Sequence, residues 1–337
     1  MIELISKSKP QYKANLHCHS TLSDGKLTPQ QLKEVYRTHG YSILAITDHE
    51  TPYDHTQMTD DNFMMLTGYE AYIRRQPKID PFGPEVHLNL FAKEHDNLKM
   101  VCYNQEYCKY IPEEQHMALD RVGSEETRHY DREYIQRFID TAVANGYLVS
   151  YNHPCWSLEE FEDIMAYRNC FSMEMCNYNS FAKNRYEHNE WLYDAMLRRG
   201  MRIFCHGGDD NHNIKPLDSY LSDSFGAFTM IYPEQFNYPS VIEALEKGNF
   251  YASMGPRIDY LAIDSKAKKA HIEATGGVQL IMHCGSKRPG CITNEGNLIT
   301  CGDFNIPDEA KYLRFTVLDD KNRTADTRGY FRSEWDR

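Results

Sequence analysis

His17-Cys18-His19 sets two imidazoles two residues apart. On a strand, where side chains alternate, both point to one side and can grip one metal ion. Alone the pair says little. It gains weight from Asp24, His49, Glu70, His87, His153, Asp210 and His212, each close to an expected strand end or in the loop just beyond it. Imidazole suits zinc, iron or manganese and carboxylates suit harder ions, so this set can hold up to three divalent ions. Water between two ions about 3.5 to 4 Å apart loses a proton near neutral pH and becomes a nucleophile, which is hydrolase chemistry.

The elements around these residues repeat one grammar. Thr28-Pro29-Gln30-Gln31 offers an N-cap, a proline at the first helical position and a capping-box glutamine, and Gly40 stops that helix. The apolar run from Ser42 to Thr47 then reads as a buried strand ending at Asp48-His49. A helix from Glu133 to Asn145 leads to the strand Tyr147 to Tyr151 and to Asn152-His153. Ser157-Leu158-Glu159-Glu160 reads as another capping box, with a helix to about Arg168 and a strand from Phe171 to Met175. A helix ending at Gly200 precedes the strand Met201 to Cys205, which delivers His206 through His212.

Such alternation predicts an α/β fold with a parallel sheet rolled into a barrel over residues 1–255. After Gly255-Pro256 the texture changes to short strands and turns, which predicts a small β domain over 256–337. The polar stretch 96–130 lacks periodicity and reads as a lid or insert.

Seven motifs in order carry a family resemblance: His17-x-His19, Ser23-Asp24-Gly25, Thr47-Asp48-His49, Gly68-Tyr69-Glu70, Glu85-Val86-His87, Asn152-His153-Pro154 and Asp210-Asn211-His212. Over roughly residues 14 to 255 the chain resembles the PHP (polymerase and histidinol phosphatase) family. The resemblance implies a distorted (β/α)7 barrel, a trinuclear metal centre and metal-dependent hydrolysis, most often of phosphate esters. Carried over, His17, His19 and Asp210 would hold one metal, with Glu70 bridging it to a second on His87 and His153. Asp24, His49 and His212 would hold the third. The D-x-H spacing favours Asp210 over Asp209 as the ligand. The region after Asn249 is similar to a branch with an extra C-terminal β-sandwich-like domain that includes carbamate-insecticide hydrolases.

The expected function is therefore that of a phosphoesterase using a metal-bridging hydroxide. The alternative is a carbamate or carboxyl-ester hydrolase on the same site, and a third reading is a nucleic-acid-associated, non-catalytic metal module. Catalytic roles are expected for Asp210, His212 and Glu70. Asp210 would orient the nucleophile or take its proton, and His212 or His49 would assist the leaving group. Substrate contacts are expected from Glu174, Asn177, His206, Arg257 and Trp156, with Lys26 and Arg185 as further cations for an anion. Cys18, on the opposite strand face from its neighbours, is expected to pack as a small hydrophobe.

The formal charge of -12 argues against a surface that tracks nucleic acid and favours a small-molecule substrate. No stretch approaches the roughly 20 apolar residues of a membrane span, and the start lacks a signal-peptide core. A cytoplasmic protein with ten reduced, structural cysteines is expected.

Overall fold

The structure is a computed structural model that describes residues 1–75 and 78–336. Thr28 caps the helix Pro29–Thr38, and the predicted capping box with Gln31 forms. That helix feeds the strand Ile43–Ile46, whose four residues are all buried. A strand covered on both faces reads as a continuous apolar run rather than an alternation. Burying each such large aliphatic side chain contributes roughly 1.5–3 kcal/mol.

The architecture is α/β with one large sheet of 14 strands. From one end its hydrogen-bonded path runs through Phe204–Gly208, Ser172–Asn177, Tyr147–Tyr151, Glu85–Ala92, Met64–Arg74, Ile43–Ile46 and Tyr12–Asn15. It continues through Phe228–Ile231 and Phe250–Ser253 into Thr324–Thr327, Tyr312–Leu318, Gln279–His283 and Gly290–Thr293. The ladder is an open path.

The expectation of a parallel sheet needs correction, because the sheet is mixed. Met64–Arg74 and Glu85–Ala92 pair antiparallel from Gly68↔Phe91 to Arg74↔Glu85, and Glu85–Ala92 pairs antiparallel with Tyr147–Tyr151. The connection between the first two strands holds Pro77, Pro81, Gly83 and Pro84, too short and too rich in helix breakers for a crossover helix. The helix expected from Ser157 onward shrinks to Phe161–Ile164, capped without a side-chain bond by Glu160. Ser157 lies three residues before that cap, and its hydroxyl is 3.1 Å from His153 Nδ1. The last strand of the series is Phe204–Gly208, three residues later than expected, so His206 lies within it.

A second sheet pairs Ile2–Ile5 with Arg257–Asp264, followed by Lys269–Gly277 and Ile299–Asn305. Its Leu261 and Ile272 pack with Leu280, Phe315 and Val317 of the large sheet in one core. The segment after residue 255 is thus tied to the rest by strand pairing at two places, Ile2–Ile5 and Phe250–Ser253. The segment 96–130 holds a parallel pair of two-residue strands, Met100–Val101 and Arg121–Val122, and is anchored by Arg128. The Arg128 guanidinium is buried on Glu50, with Nη2 2.9 Å from Oε2. Among the described residues no helix is long and apolar enough to cross a membrane.

Candidate metal centre

Tyr12–Asn15 ends just before His17 and His19, and the chain there lies beside Asn211. His19 N donates to Asn211 O at 3.0 Å, and Asp210 N donates to His17 O at 2.9 Å, so the first and last motifs are stitched together. Cys18 turns the other way, into the hydrophobic core. Asp48 accepts from Ser20 N at 2.7 Å and from the hydroxyls of Ser20 and Ser23, which shapes the loop that presents Asp24. His153 and Asp210 both have positive φ, 21° and 52°, where the chain turns sharply off a strand end. Non-glycine residues hold such angles only where their surroundings enforce them.

The nine side chains converge. His17 Nε2 and His19 Nε2 are 3.2 Å apart, and Asp210 Oδ1 lies 3.3 Å from the former and 3.0 Å from the latter. Glu70 spans the cluster: Oε1 lies 3.2 Å from His17 Nε2, 3.0 Å from His87 Nδ1 and 3.3 Å from His153 Nε2. Its Oε2 lies 3.0 Å from His49 Nδ1 and 3.5 Å from His19 Nε2. Asp24 lies 3.4 Å from His212 Nε2 and 3.8 Å from His49 Nε2.

Four overlapping groups place their donor atoms within 4.8 Å of one another: His19-Asp24-His49-His212, His17-His19-Glu70, His17-His153-Asp210 and His49-Glu70-His87. The grouping differs in detail from the resemblance. Asp24, His49 and His212 stay together but gain His19, and Asp210 sits with His153 as well as with His17.

The donor set suits metal ions on two counts. His19 Nδ1, His49 Nδ1, Glu70 Oε2 and His87 Nε2 are buried without a hydrogen-bond partner among the described residues. His49 Nδ1 and Glu70 Oε2 stand 3.0 Å apart yet make no hydrogen bond, as lone pairs aimed at a common cation would. The far ring nitrogens, moreover, are held from outside. His17 Nδ1 lies 2.7 Å from Glu174 Oε1, His153 Nδ1 3.1 Å from Ser157 Oγ, and His212 Nδ1 3.0 Å from the Asp210 carbonyl. Such partners fix the tautomer that turns the Nε2 lone pair inward.

The electrostatics are those of a concentrated acid cluster. Burial lowers His17, but Asp210, Glu174 and Glu70 overcome it and hold the imidazole well above its ordinary value. Burial also opposes the charge on His87 and His212, yet Glu70 and Glu85 raise the first to about 10, and Asp24 and Asp210 raise the second to about 9. Burial, reinforced by His212 and His49, pushes His19 down to about 3 and leaves it neutral. Burial works against the charge of Glu70 and Asp210, but their histidine neighbours keep both carboxyls well below the usual range. Protons on imidazole balance carboxylate charge here, the place that divalent cations fill when ligands deprotonate.

The cluster floors a cavity of about 370 Å³. Of the residues expected to touch substrate, only Trp156 lines it; it is 40% exposed and its ring packs edge-on against His87 and His153. Glu174 and Asn177 are fully buried behind the ligands, Asn177 Nδ2 bonding Glu174 Oε2 at 3.0 Å and Asp210 Oδ2 at 3.1 Å. His206 is fully buried as well, 3.0 Å from Ser172 Oγ, and burial lowers it to about 4 despite Glu174. Arg257 lies on the second sheet, 3.5 Å from Asp259. Neither it nor Lys26 nor Arg185 lines the cavity. The cations that do are Arg74 and Lys183, which the sequence reading missed. Arg74 closes the strand Met64–Arg74, and Lys183 stands on the helix Tyr178–Asn184, capped by Asn177. A basic residue four positions after Glu70 was the one available sign.

No family model matches the chain. It is 49% identical over 39 residues to a 5'-3' exoribonuclease of Haemophilus influenzae, which is 12% of this chain and 14% of that protein. Among solved structures it is similar to a two-domain protein from Bacteroides vulgatus containing a predicted PHP-like metal-dependent phosphoesterase. That likeness covers 96% of each chain at 13% identity and a TM-score of 0.46. It is also similar to an amidohydrolase from Chromobacterium violaceum, over 59% of this chain and 87% of that one, at 14% identity and a TM-score of 0.37.

Proposed function

We propose that the chain is a metal-dependent hydrolase that cleaves small phosphate esters. The observation that carries this is the convergence of four overlapping ligand groups on the floor of one cavity whose wall holds Arg74 and Lys183. His19, Asp24, His49 and His212 would hold one divalent ion, and His17, His87, His153 and Asp210 would hold others with Glu70 shared between them. Donor type suits manganese, zinc or iron. When bound, such ions supply positive charge toward phosphoryl oxygens and acidify water.

The chain's own residues do the rest. Arg74 and Lys183 line the cavity, Arg74 with its Nε on Glu85 and Lys183 3.9 Å from Asp223, so each would meet an anion there with a charge already shared. Trp156 offers an apolar wall for the body of the ester. Asp210, on the cavity beside Glu70, would orient an incoming water and take its proton, while His212, with Nδ1 against the Asp210 carbonyl and Nε2 toward Asp24, would serve as a metal ligand. Glu174, Ser157 and the Asp210 carbonyl hold three rings so that this geometry stays preorganised.

The same reading takes the seven strands of the path from Phe204–Gly208 to Tyr12–Asn15 as a distorted barrel. Its support is Thr229 Oγ1, 2.8 Å from Gly207 O and 3.2 Å from Gly207 N, which links the end strand to the neighbour of Tyr12–Asn15. All ten cysteines are unpaired, in keeping with a reducing compartment such as the cytoplasm.

The test is a panel of phosphomonoesters and phosphodiesters with manganese, compared between the protein and His17→Ala. Turnover that falls at least about a hundredfold in the variant is expected, as for an interaction the transition state requires. Hydrolysis of p-nitrophenyl acetate or aryl carbamates with phosphate esters untouched would overturn the phosphoesterase reading.

A further inference from the structure

A second cavity, of about 330 Å³, lies away from the metal-ligand cluster. Its walls come from residues 167–170 and 199–203, the segments that lead into Ser172–Asn177 and Phe204–Gly208. The ligand cluster lies where those strands end. Ile164, Met196 and Ile203 give the second cavity a buried apolar side.

Its charge is one-sided. Arg168, Arg199 and Arg202 all line it, and among the described residues no carboxylate lies within ion-pairing distance of any of the three. Arg168 Nη1 rests on the carbonyls of Met165 and Tyr167, each at 2.8 Å. Arg199 and Arg202 lie 4.7 Å over the rings of Phe161 and Phe331. These contacts fix the guanidinium groups without neutralising them.

A groove beside the metal centre shows the contrast. It too gathers basic residues, but Arg74, Arg75, Lys78 and Arg128 are each paired, with Glu85, Asp80, Glu106 and Glu50. In a chain of formal charge -12, three arginines left without a counter-charge around one cavity concentrate positive potential there.

Tyr151 supplies an independent sign. It lines the same cavity, is 2% exposed, and its hydroxyl has no hydrogen-bond partner among the described residues. A buried hydroxyl left unpaired is costly, and a ligand oxygen relieves that cost.

We propose that this cavity binds a small organic oxoanion with a phosphoryl or phosphonyl head and a compact apolar body. Arg168, Arg199 and Arg202 compensate the head, Tyr151 donates its hydroxyl to one of the oxygens, and Ile164, Met196 and Ile203 cover the body. The volume falls within the range of small-molecule sites.

Phenylphosphonate, whose carbon–phosphorus bond resists hydrolysis, is a suitable probe. It is titrated by calorimetry into the full chain, into Tyr151→Phe, into the double variant Arg199→Met/Arg202→Met, and into His17→Ala. Binding that survives in His17→Ala, weakens about tenfold or more in Tyr151→Phe and is lost in the double variant is expected for charged hydrogen bonds. No binding at millimolar concentration, binding that ignores both cavity variants, or binding lost only in His17→Ala overturns the proposal. Tyr151→Phe removes a hydroxyl that has no hydrogen-bond partner among the described residues, so its melting temperature without ligand stays at or above that of the parent. A lost ligand-induced shift in that variant is then not a folding defect. The titration involves no turnover, so its failure leaves the hydrolase reading standing, and the converse holds.

Discussion

Replacing Glu174 by glutamine keeps the shape of a fully buried side chain and removes one negative charge from behind the ligand cluster. Its Oε1 lies 2.7 Å from His17 Nδ1, and its Oε2 accepts from the His153 backbone N–H and from Asn177 Nδ2, each at 3.0 Å. The carboxylate therefore fixes the His17 tautomer and the turn that presents His153. A hydrogen bond to a charged group contributes roughly 1.5–3 kcal/mol, which is about ten- to a hundredfold in an equilibrium constant. Losing the outer partner of a ligating histidine costs the same range in metal affinity or activity. Glutamine keeps one acceptor oxygen and puts an NH2 at the other position, so either the His17 bond or the two bonds at Oε2 are lost, and about tenfold weaker manganese or zinc binding by calorimetric titration is expected.

A structural role predicts a different pattern. If Glu174 served folding alone, the metal-free variant would melt well below the parent while its metal affinity, once folded, stayed the same. The expected melting shift of metal-free Glu174→Gln is roughly 2–6 °C, because at least one buried donor is left unpaired at a cost of about 1–3 kcal/mol and about 1 kcal/mol moves a chain of this size by only a few degrees. Unchanged metal affinity beside a melting drop of about 10 °C or more would refute the reasoning.

Glu159 gives a pH prediction away from the candidate metal ligands. Burial lifts its carboxyl to about 8 against the bonds from Tyr167 and Tyr130, so between the ordinary value of 4.5 and about 8 the folded chain keeps a proton that the unfolded chain has lost. Stability is therefore fullest below the unfolded value and falls as pH rises through this window. Glu159→Gln should flatten the fall between pH 5 and 8 in urea denaturation, and parallel profiles for the two proteins would exclude the assignment. Arg314→Met tests the tie between the C-terminal strands and the rest. The fully buried guanidinium lies 2.7 Å from Asp326 and 3.1 Å from Asp194 of the helix Glu190–Arg198, so its removal strands two carboxylates. A loss of about 3–5 kcal/mol in chemical denaturation is expected. A variant as stable as the parent would show that the two carboxylates find other compensation.

Local chemistry announced itself wherever it acted locally. The Thr28 cap, the short buried strand Ile43–Ile46 and the emergence of polar groups at strand ends all depend on a few neighbouring residues. The hairpin of Met64–Arg74 and Glu85–Ala92 did not, because both strands are buried along nearly their whole length and carry no alternation to read. Ser157 shows the limit most directly. Its spacing to Glu160 has the form of a capping box, yet the hydroxyl meets His153 Nδ1, and the helix starts only after Glu160. Arg74 and Lys183 face one cavity although 109 positions separate them in the sequence, so only the folded sheet brings them together.

The adjacent aspartates 209 and 210 carry the same argument to a single peptide unit. Asp209 accepts from the backbone N–H groups of Phe225, Gly226 and Ala227 at 2.7–3.0 Å and from the Tyr36 hydroxyl at 2.7 Å. Those four donors consume its lone pairs, and burial still lifts it to about 6. Asp210, turned by its positive φ, meets imidazoles instead and is held well below the ordinary carboxylate range, against the pull of burial, by His17 and His19. Composition cannot separate two identical neighbours. What separates them is that a segment some 15 residues downstream offers three N–H groups to one side of the chain, while the first motif offers His17 and His19 to the other. The D-x-H spacing pointed to Asp210, and the physical ground for that choice is the supply of donors that leaves Asp209 no capacity to bind anything else.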